Sequence, residues 1–147
     1  MANVVPYSFA QELLNVTHNF VGNTIYIALY EAGSGAPYAV SDTAYASGTA
    51  NQVSGTGYTT GGKVLQNGTV ANQTNVATVT FDTISWTSAT FGAAYGVLYN
   101  NSASDKLIVV LDFGGTKSCS NGTFTITFPS TSSGTPAGTD SLISITS

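Results

Sequence analysis

The chain has 147 residues, of which only 7% are charged, and its net charge is −4. This length predicts one domain, residues 1–147, that can bury a core without a metal, and the lone Cys119 excludes an internal disulfide. Its three cationic residues, all lysines, argue against nucleic-acid binding. Neither a signal peptide nor a membrane-spanning apolar run is expected, so no membrane partner is predicted.

The N-terminal residues predict an extended arm followed by a short helix. Residues 1–8 form the arm, because Pro6 disfavours helical backbone before it. Ser8 is the expected N-cap of a helix over about Phe9–Val16, since Gln11 follows it at the spacing of a capping box. A helix this short is not stable alone in water, so it must dock on this domain or on a neighbour.

A strand and a long loop come next. Thr24–Tyr30 carries apolar residues at both parities, which predicts a strand covered on both faces. Residues 31–62 are rich in Gly, Ala, Ser and Thr and predict a long loop, with short edge pairings at Tyr45–Ala46 or Gln52–Val53. Loops of this length in compact domains are usually functional.

Three tyrosines are spaced through this loop, and two interpretations of them remain open. Tyrosine adds amphipathic contact area at low entropic cost, so the three rings form either a carbohydrate-stacking or a protein-contact surface. Alternatively, they pin the loop to its own sheet. The residues are Tyr38, Tyr45 and Tyr58.

The middle of the chain predicts further short strands. Lys63–Leu65 and Thr69–Ala71 flank Asn67–Gly68, which has the residues of a hairpin turn. Val76–Trp86 is the next predicted strand. Its apolar residues change parity midway, which predicts a bulge near Asp82–Thr83.

Residues Phe91–Phe113 predict a buried central hairpin. Apolar residues at both parities precede a polar turn at 100–105, and Leu107–Leu111 is an unbroken apolar run. Gly114–Gly115 is expected to end the hairpin. The region therefore predicts scaffold, and function is expected in the segments that lack its pattern.

The C-terminal part predicts two more strands. Thr123–Phe128 alternates apolar and Thr residues between a turn at Asn121–Gly122 and Pro129, and a loop over 130–141 precedes a last strand at Leu142–Ile145. Short strands separated by turns predict an all-β fold, an antiparallel β-sandwich or jelly-roll-like barrel with one short N-terminal helix.

The titratable residues predict no catalytic, metal or cofactor site, and the chain is not expected to be an enzyme. His18 is expected at the surface or as a cap, and Cys119 lies in a polar turn without a base beside it. Asp82 and Asp112 are the carboxylates that neighbouring strands would pair in a glycosidase, but turn and strand-end roles are favoured for them. The acids lack the clustering of a calcium loop.

Four segments, in order, carry a resemblance that covers most of the chain: Thr17–Tyr30, Val53–Leu65, Thr80–Asn100 and Leu107–Pro129. Preceded by a helix, this ordered set resembles a family of small virion proteins of tailed bacteriophages, which are similar to head decoration (cement) proteins. The resemblance implies a non-enzymatic structural protein without a cofactor, on the outer capsid surface of the virion after assembly in the host cytoplasm.

The resemblance also implies partners. A decoration protein stabilises the head by bridging capsomers, so the major capsid protein and a dimer or trimer of the chain itself are expected. Besides the loops at 31–62 and 130–141, the expected contact residues are Val4, Val5, Tyr7, Phe9, Tyr38, Tyr45 and Tyr58. The alternative is a tail- or fibre-associated module that binds host glycan through the tyrosines.

Overall fold

A computed structural model describes residues 3–73, 76–129 and 143–146. Its strands form a four-stranded sheet in the order β2-β1-β5-β6 and a three-stranded sheet in the order β3-β4-β7, with antiparallel pairing throughout. The elements are α1 (Tyr7–Leu14), β1 (Ile25–Tyr30), β2 (Lys63–Val64), β3 (Thr69–Gln73), β4 (Val76–Thr80), β5 (Ile84–Asn100), a 3₁₀ turn (Asn101–Ala103), β6 (Lys106–Ile126) and β7 (Ile143–Thr146).

The predicted all-β class with one short helix is confirmed, and its arrangement is sandwich-like. A jelly-roll topology is not confirmed. The last strand, predicted at Leu142–Ile145, spans Ile143–Thr146 among the described residues; Leu142 and the predicted loop over 130–141 lie outside them.

The central hairpin of β5 and β6 is longer than the prediction. Its register runs from Ile84 opposite Ile126 to Asn100 opposite Lys106, with several shifts. The predicted end at Gly114–Gly115 is wrong, and Thr123–Phe128 is not a separate strand, because β6 continues to Ile126. Both glycines and Asn121 take positive φ. These residues bend β6 without ending its pairing, as β-bulges do.

The stretch Val76–Trp86 is two strands rather than one bulged strand. β4 ends at Thr80 in the three-stranded sheet, and β5 begins at Ile84 in the four-stranded sheet. The change of parity therefore marks the point where the chain passes from one sheet to the other. The hairpin predicted at Asn67–Gly68 is wrong for the same reason, since β2 pairs with β1 and β3 pairs with β4.

Helix α1 begins earlier than predicted. It spans Tyr7–Leu14, and its N-cap is Pro6 without a side-chain capping bond, so Ser8 lies inside the first turn. The arm before it is not free, because Val4 pairs with Val110 through two backbone hydrogen bonds of 2.9 and 2.8 Å. In the described part of the chain, no helix is long and apolar enough to cross a membrane.

Both faces of the four-stranded sheet are covered, as the apolar pattern in the sequence of β1 predicted. One face of this sheet contributes to an apolar cluster that also includes residues from α1, from β4 and from the connecting segments. These residues include Phe9, Phe20, Val79, Phe81 and Phe128. The opposite face is covered by the 31–62 loop, whose Tyr38 and Tyr45 pack with the strands' Tyr30, Tyr95 and Tyr99.

The 31–62 loop follows the sheet instead of projecting from it. Isolated bridges join Gln52 to Tyr30, Ala44 to Lys106 and Thr56 to Thr90. The edge pairing expected near Gln52–Val53 is therefore present as a bridge at Gln52.

Candidate interaction surface

Large exposed apolar side chains are concentrated near the N-terminus of the described chain. Only Val70, on β3, lies elsewhere. The others are Val5, Tyr7, Leu14, Val16, Val21 and Val40. Scattered exposed apolar residues are normal on a protein surface, but a local concentration of them marks a candidate interaction site.

The outer face of α1 forms the centre of this concentration. Tyr7 and Leu14 are seven residues apart, which places them on one side of the helix, and they are 77% and 87% exposed. Ala10 and Gln11, between them, are also exposed and uncharged. The helix is about 12 Å long at 1.5 Å per residue. It therefore presents an apolar face about 12 Å in length.

Neighbouring residues extend this face at both ends of α1. The Tyr7 amide donates to the Val40 carbonyl at 2.9 Å, which brings exposed Val40 beside the first turn, where Val5 also lies. Val16 follows the last turn and is 79% exposed. We call Val5, Tyr7, Leu14, Val16 and Val40 the α1 surface. None of these five residues carries a charge.

The inner face of α1 holds a buried polar network. Glu12 Oε2 lies 3.0 Å from His18 Nε2, and its Oε1 lies 3.4 Å from Lys106 Nζ. On its other side, His18 Nδ1 lies 3.2 Å from Asn100 Nδ2, and Asn100 is fully buried. The network thus connects the helix to the turn end of the central hairpin.

Hydrogen-bond partners determine which atoms donate in this network. Asn100 Nδ2 also donates to the Thr17 carbonyl at 3.2 Å and to Asn23 Oδ1 at 2.9 Å. Asn23 Oδ1 is identified as an acceptor because the Asn19 amide donates to it at 2.8 Å. Asn100 therefore presents N–H groups to His18 Nδ1, so the imidazole proton lies on Nε2 and is donated to the Glu12 carboxylate.

The burial of His18 corrects the expectation of a surface or capping role. Its side chain is 0% exposed, and its ring lies 5.2 Å from Phe9 and 6.2 Å from Phe20. The imidazole of His18 is therefore not accessible to a substrate. The neighbouring Glu12 was missed from the sequence, although its position three residues after Phe9 places it on the same buried helix face.

The loop tyrosines point inward. Tyr38 and Tyr45 are each 7% exposed, and Tyr45 stacks on Tyr99 with a centroid distance of 4.0 Å. Tyr58 is half-buried, and its hydroxyl oxygen accepts the Leu29 amide at 2.8 Å. Of the two interpretations, the pinning role is the one that the contacts show.

Burial also changes how these hydroxyls titrate. Desolvation raises the pKa of Tyr45 and Tyr58 above the ordinary value, and it raises the pKa of their neighbours Tyr30 and Tyr99 further. The hydroxyl of Tyr30 lies 2.9 Å from Thr49 Oγ1 and 3.2 Å from the Tyr38 hydroxyl. Tyr38 and Tyr45 thus join Tyr30 and Tyr99 in a polar-edged second core that attaches the loop, whereas Tyr58 packs against the first apolar cluster.

The predicted N-terminal contact residues are divided between surface and interior. Val5 and Tyr7 are exposed, and they belong to the α1 surface. Phe9 is 5% exposed within the core, and Val4 is half-buried against the second core. Only Val5 and Tyr7 of the expected contact residues are thus exposed, and the exposed residues Leu14, Val16 and Val40 were not among those expected.

The two carboxylates considered as a pair are not neighbours in the sheet. Asp82 precedes β5 and accepts from Asn67 Nδ2 at 2.6 Å, whereas Asp112 lies opposite Tyr95 in the second half of β5. The Gly114 amide donates to Asp112 at 2.9 Å and lowers the pKa of that carboxyl. Among the described residues, no three His, Cys, Asp or Glu side chains are grouped as a metal site.

An open groove of about 380 Å³ lies along the bent second half of β6. Cys119 and Lys117 line it with Phe113, Phe124 and Ile126, and the Cys119 thiol lies 3.7 Å from the Phe91 carbonyl oxygen. The residues that line this groove include no histidine and no carboxylate.

Comparison with known proteins adds no further assignment: no protein-family model, curated protein or solved structure matches the chain. The resemblance to phage virion proteins therefore stays a prediction.

Proposed function

We propose that this protein is a non-enzymatic structural protein of a phage virion, a capsid decoration protein that binds the major capsid protein through the α1 surface. The observation that carries this proposal is the concentration of uncharged, exposed apolar side chains on and around α1. The resemblance of the four ordered segments supports the choice of a virion as its setting.

The rest of the described fold suits a binding role. Two packed sheets hold α1 from behind, so its outer face is presented on a rigid support. Rigid presentation favours affinity because little conformational freedom is lost on binding. Self-association as a dimer or trimer, and location on the outer head surface after assembly in the host cytoplasm, belong to the same proposal.

The alternative role, glycan adhesion by a tail or fibre module, receives no support from the tyrosines. Tyr38 and Tyr45 are buried and Tyr58 is half-buried, so these rings offer little flat exposed surface to a sugar. Glycan binding by the purified protein remains the measurement that would favour that role.

The proposal predicts which substitutions weaken particle binding. Full burial of one Leu side chain contributes about 1.5–3 kcal/mol, and each 1.4 kcal/mol is about tenfold in affinity. Leu14→Ser should therefore weaken binding to undecorated heads roughly 10- to 100-fold in a sedimentation assay. Tyr7→Ser should act in the same direction.

Val70→Ser is the matched control, because Val70 is an exposed apolar residue on β3, outside the α1 surface. It should bind heads as the wild type does. Equal binding by Leu14→Ser, Tyr7→Ser and Val70→Ser would show that the α1 surface is not the interface. Failure of the wild-type protein to bind heads, or density for it only on the tail in electron cryo-microscopy, would refute the proposed role itself.

Point substitutions are sharper than deletion of residues 1–8. The deletion would remove the pairing of Val4 with Val110 and the first residues of α1, so a loss of binding would have two explanations.

A further inference from the structure

Helix α1 is attached to the domain by few contacts. Of its eight residues, only Phe9 and Glu12 are buried, and Leu13 is partly buried. A helix of this length has no stability of its own in water, so it stays folded only while it is docked. Its side-chain attachment therefore depends on Phe9, on partly buried Leu13 and on the Glu12 carboxylate.

The Glu12 carboxylate contacts two other elements of the domain. It accepts the Nε2 hydrogen of His18, in the connection to β1, and it pairs with Lys106 at the start of β6. The His18 side chain is 0% exposed, and that of Glu12 is 11% exposed. Charge-assisted hydrogen bonds of this kind are the stronger ones, and removal of the Glu12 carboxylate leaves the buried Nε2 hydrogen of His18 without its acceptor.

The partners of Glu12 are themselves held in place. Asn100 directs an N–H group at His18 Nδ1, and its own orientation is determined by the Thr17 carbonyl and Asn23 Oδ1. Asn100 and Lys106 lie opposite each other at the turn end of the central hairpin. Asn100 and Lys106 thus belong to the buried central hairpin, while Glu12 is the one residue of the network that lies on α1.

We propose that Glu12, His18, Asn100 and Lys106 form a latch that keeps α1 docked, and that α1 opens as a unit when the latch is broken while the four-stranded sheet stays folded. Glu12 is a positioning residue in this role. The consequence for binding rests on the proposed function: only the docked helix presents the α1 surface to a partner, so opening lowers the apparent affinity in proportion to the docked fraction.

The contrast between the two sides of α1 supports this assignment. Its outer face is apolar and exposed, and its inner face combines Phe9 and Leu13 with a carboxylate, whereas an ordinary amphipathic surface helix exposes its charged residues and buries its apolar ones. Loss of the polar pair leaves only Phe9 fully buried to hold the helix, whereas every β1 residue except Tyr26 is buried.

Hydrogen exchange of the full-length protein tests the latch without any partner. In Glu12→Ala, the α1 amides should exchange at least tenfold faster, including the Thr17 amide that donates to the Glu12 carbonyl at 2.8 Å. Amides of β1 and β5 should stay within twofold of the wild type. The control is Gln11→Ala, at an exposed neighbouring position in the same helix, which should leave both sets unchanged.

Two results would overturn the latch. One is unchanged α1 exchange in Glu12→Ala, and the other is equal acceleration of helix and sheet amides, which would show that α1 does not open separately. Glu12→Gln keeps the side-chain size and removes the charge, so it covers the case in which Glu12→Ala does not fold, and it should also accelerate α1 exchange.

A measurement of head binding by the same variants separates this inference from the proposed function. If heads bind the wild type, Glu12→Ala should bind more weakly than Gln11→Ala, and equal binding by the two variants would overturn the claim that docking of α1 controls the interface. If heads do not bind the wild type, the proposed function fails, and the exchange experiment still decides whether the latch exists.

Discussion

Gly62 is the position where one methyl group should have the largest effect on the fold. It lies directly before β2 with φ of 83°, and a Cβ there would lie 2.6 Å from the carbonyl carbon of Ile27 and 2.8 Å from Cα of Ala28. Both neighbours are backbone atoms of β1, and the side chains of Ile27 and Ala28 are 0% exposed. The strand cannot move away because it is packed on both faces, so β2 must separate from it.

The magnitude follows from two contributions. A non-glycine residue at positive φ costs about 1 kcal/mol. Separation of β2 disturbs the pairs of Val64 with Tyr26 and Lys63 with Ile27, and a lost hydrogen bond costs about 1 kcal/mol each. Gly62→Ala should therefore lower the free energy of unfolding by about 3 kcal/mol.

Gly48→Ala is the matched control, because Gly48 has φ of 72° and no atom within 4 Å of the added Cβ. It should cost only the backbone strain, about 1 kcal/mol. Urea unfolding followed by the fluorescence of buried Trp86 gives both values. A difference between the two variants below about 0.5 kcal/mol would refute the close approach of Gly62 to β1.

Two further predictions concern the buried polar groups. Burial raises the pKa of four tyrosines, which are Tyr30, Tyr45, Tyr58 and Tyr99. The folded state therefore retains their protons above the pH at which the unfolded chain loses them, about pH 10. The stability that they contribute is present below about pH 10 and is lost as pH rises further, so spectrophotometric titration should show their ionisation together with unfolding; ionisation of all tyrosines near pH 10 in the folded protein would contradict this. Asn100→Ala should destabilise the protein by about 2–4 kcal/mol in urea, since it removes the two N–H donors that Thr17, His18 and Asn23 share, whereas Asn101→Ala, at an exposed position, should cost less than about 1 kcal/mol. Equal costs for the two Asn variants would show that the Asn100 bonds contribute little.

Local patterns in the sequence were sufficient for the elements whose pairing is local. The apolar residues of β1 and the unbroken run Leu107–Leu111 in β6 predicted strands covered on both faces, and the polar turn between β5 and β6 predicted their hairpin. In the candidate site, Val5 and Tyr7 were expected from the sequence as contact residues, but so were Val4 and Phe9, which the fold buries in part or in full. These features follow from side-chain alternation and turn chemistry, which act over a few residues.

Only the tertiary structure determined which strands share a sheet and which polar groups are buried. The parity change near Asp82 indicated an irregularity, but a bulge and a passage between sheets produce the same local pattern. The burial of His18 depends on Glu12 and on Asn100, which is 82 residues further along the chain. The inward direction of Tyr38 and Tyr45 likewise depends on the strands beneath them. Contacts between residues far apart in sequence decide these features, and no single segment encodes them.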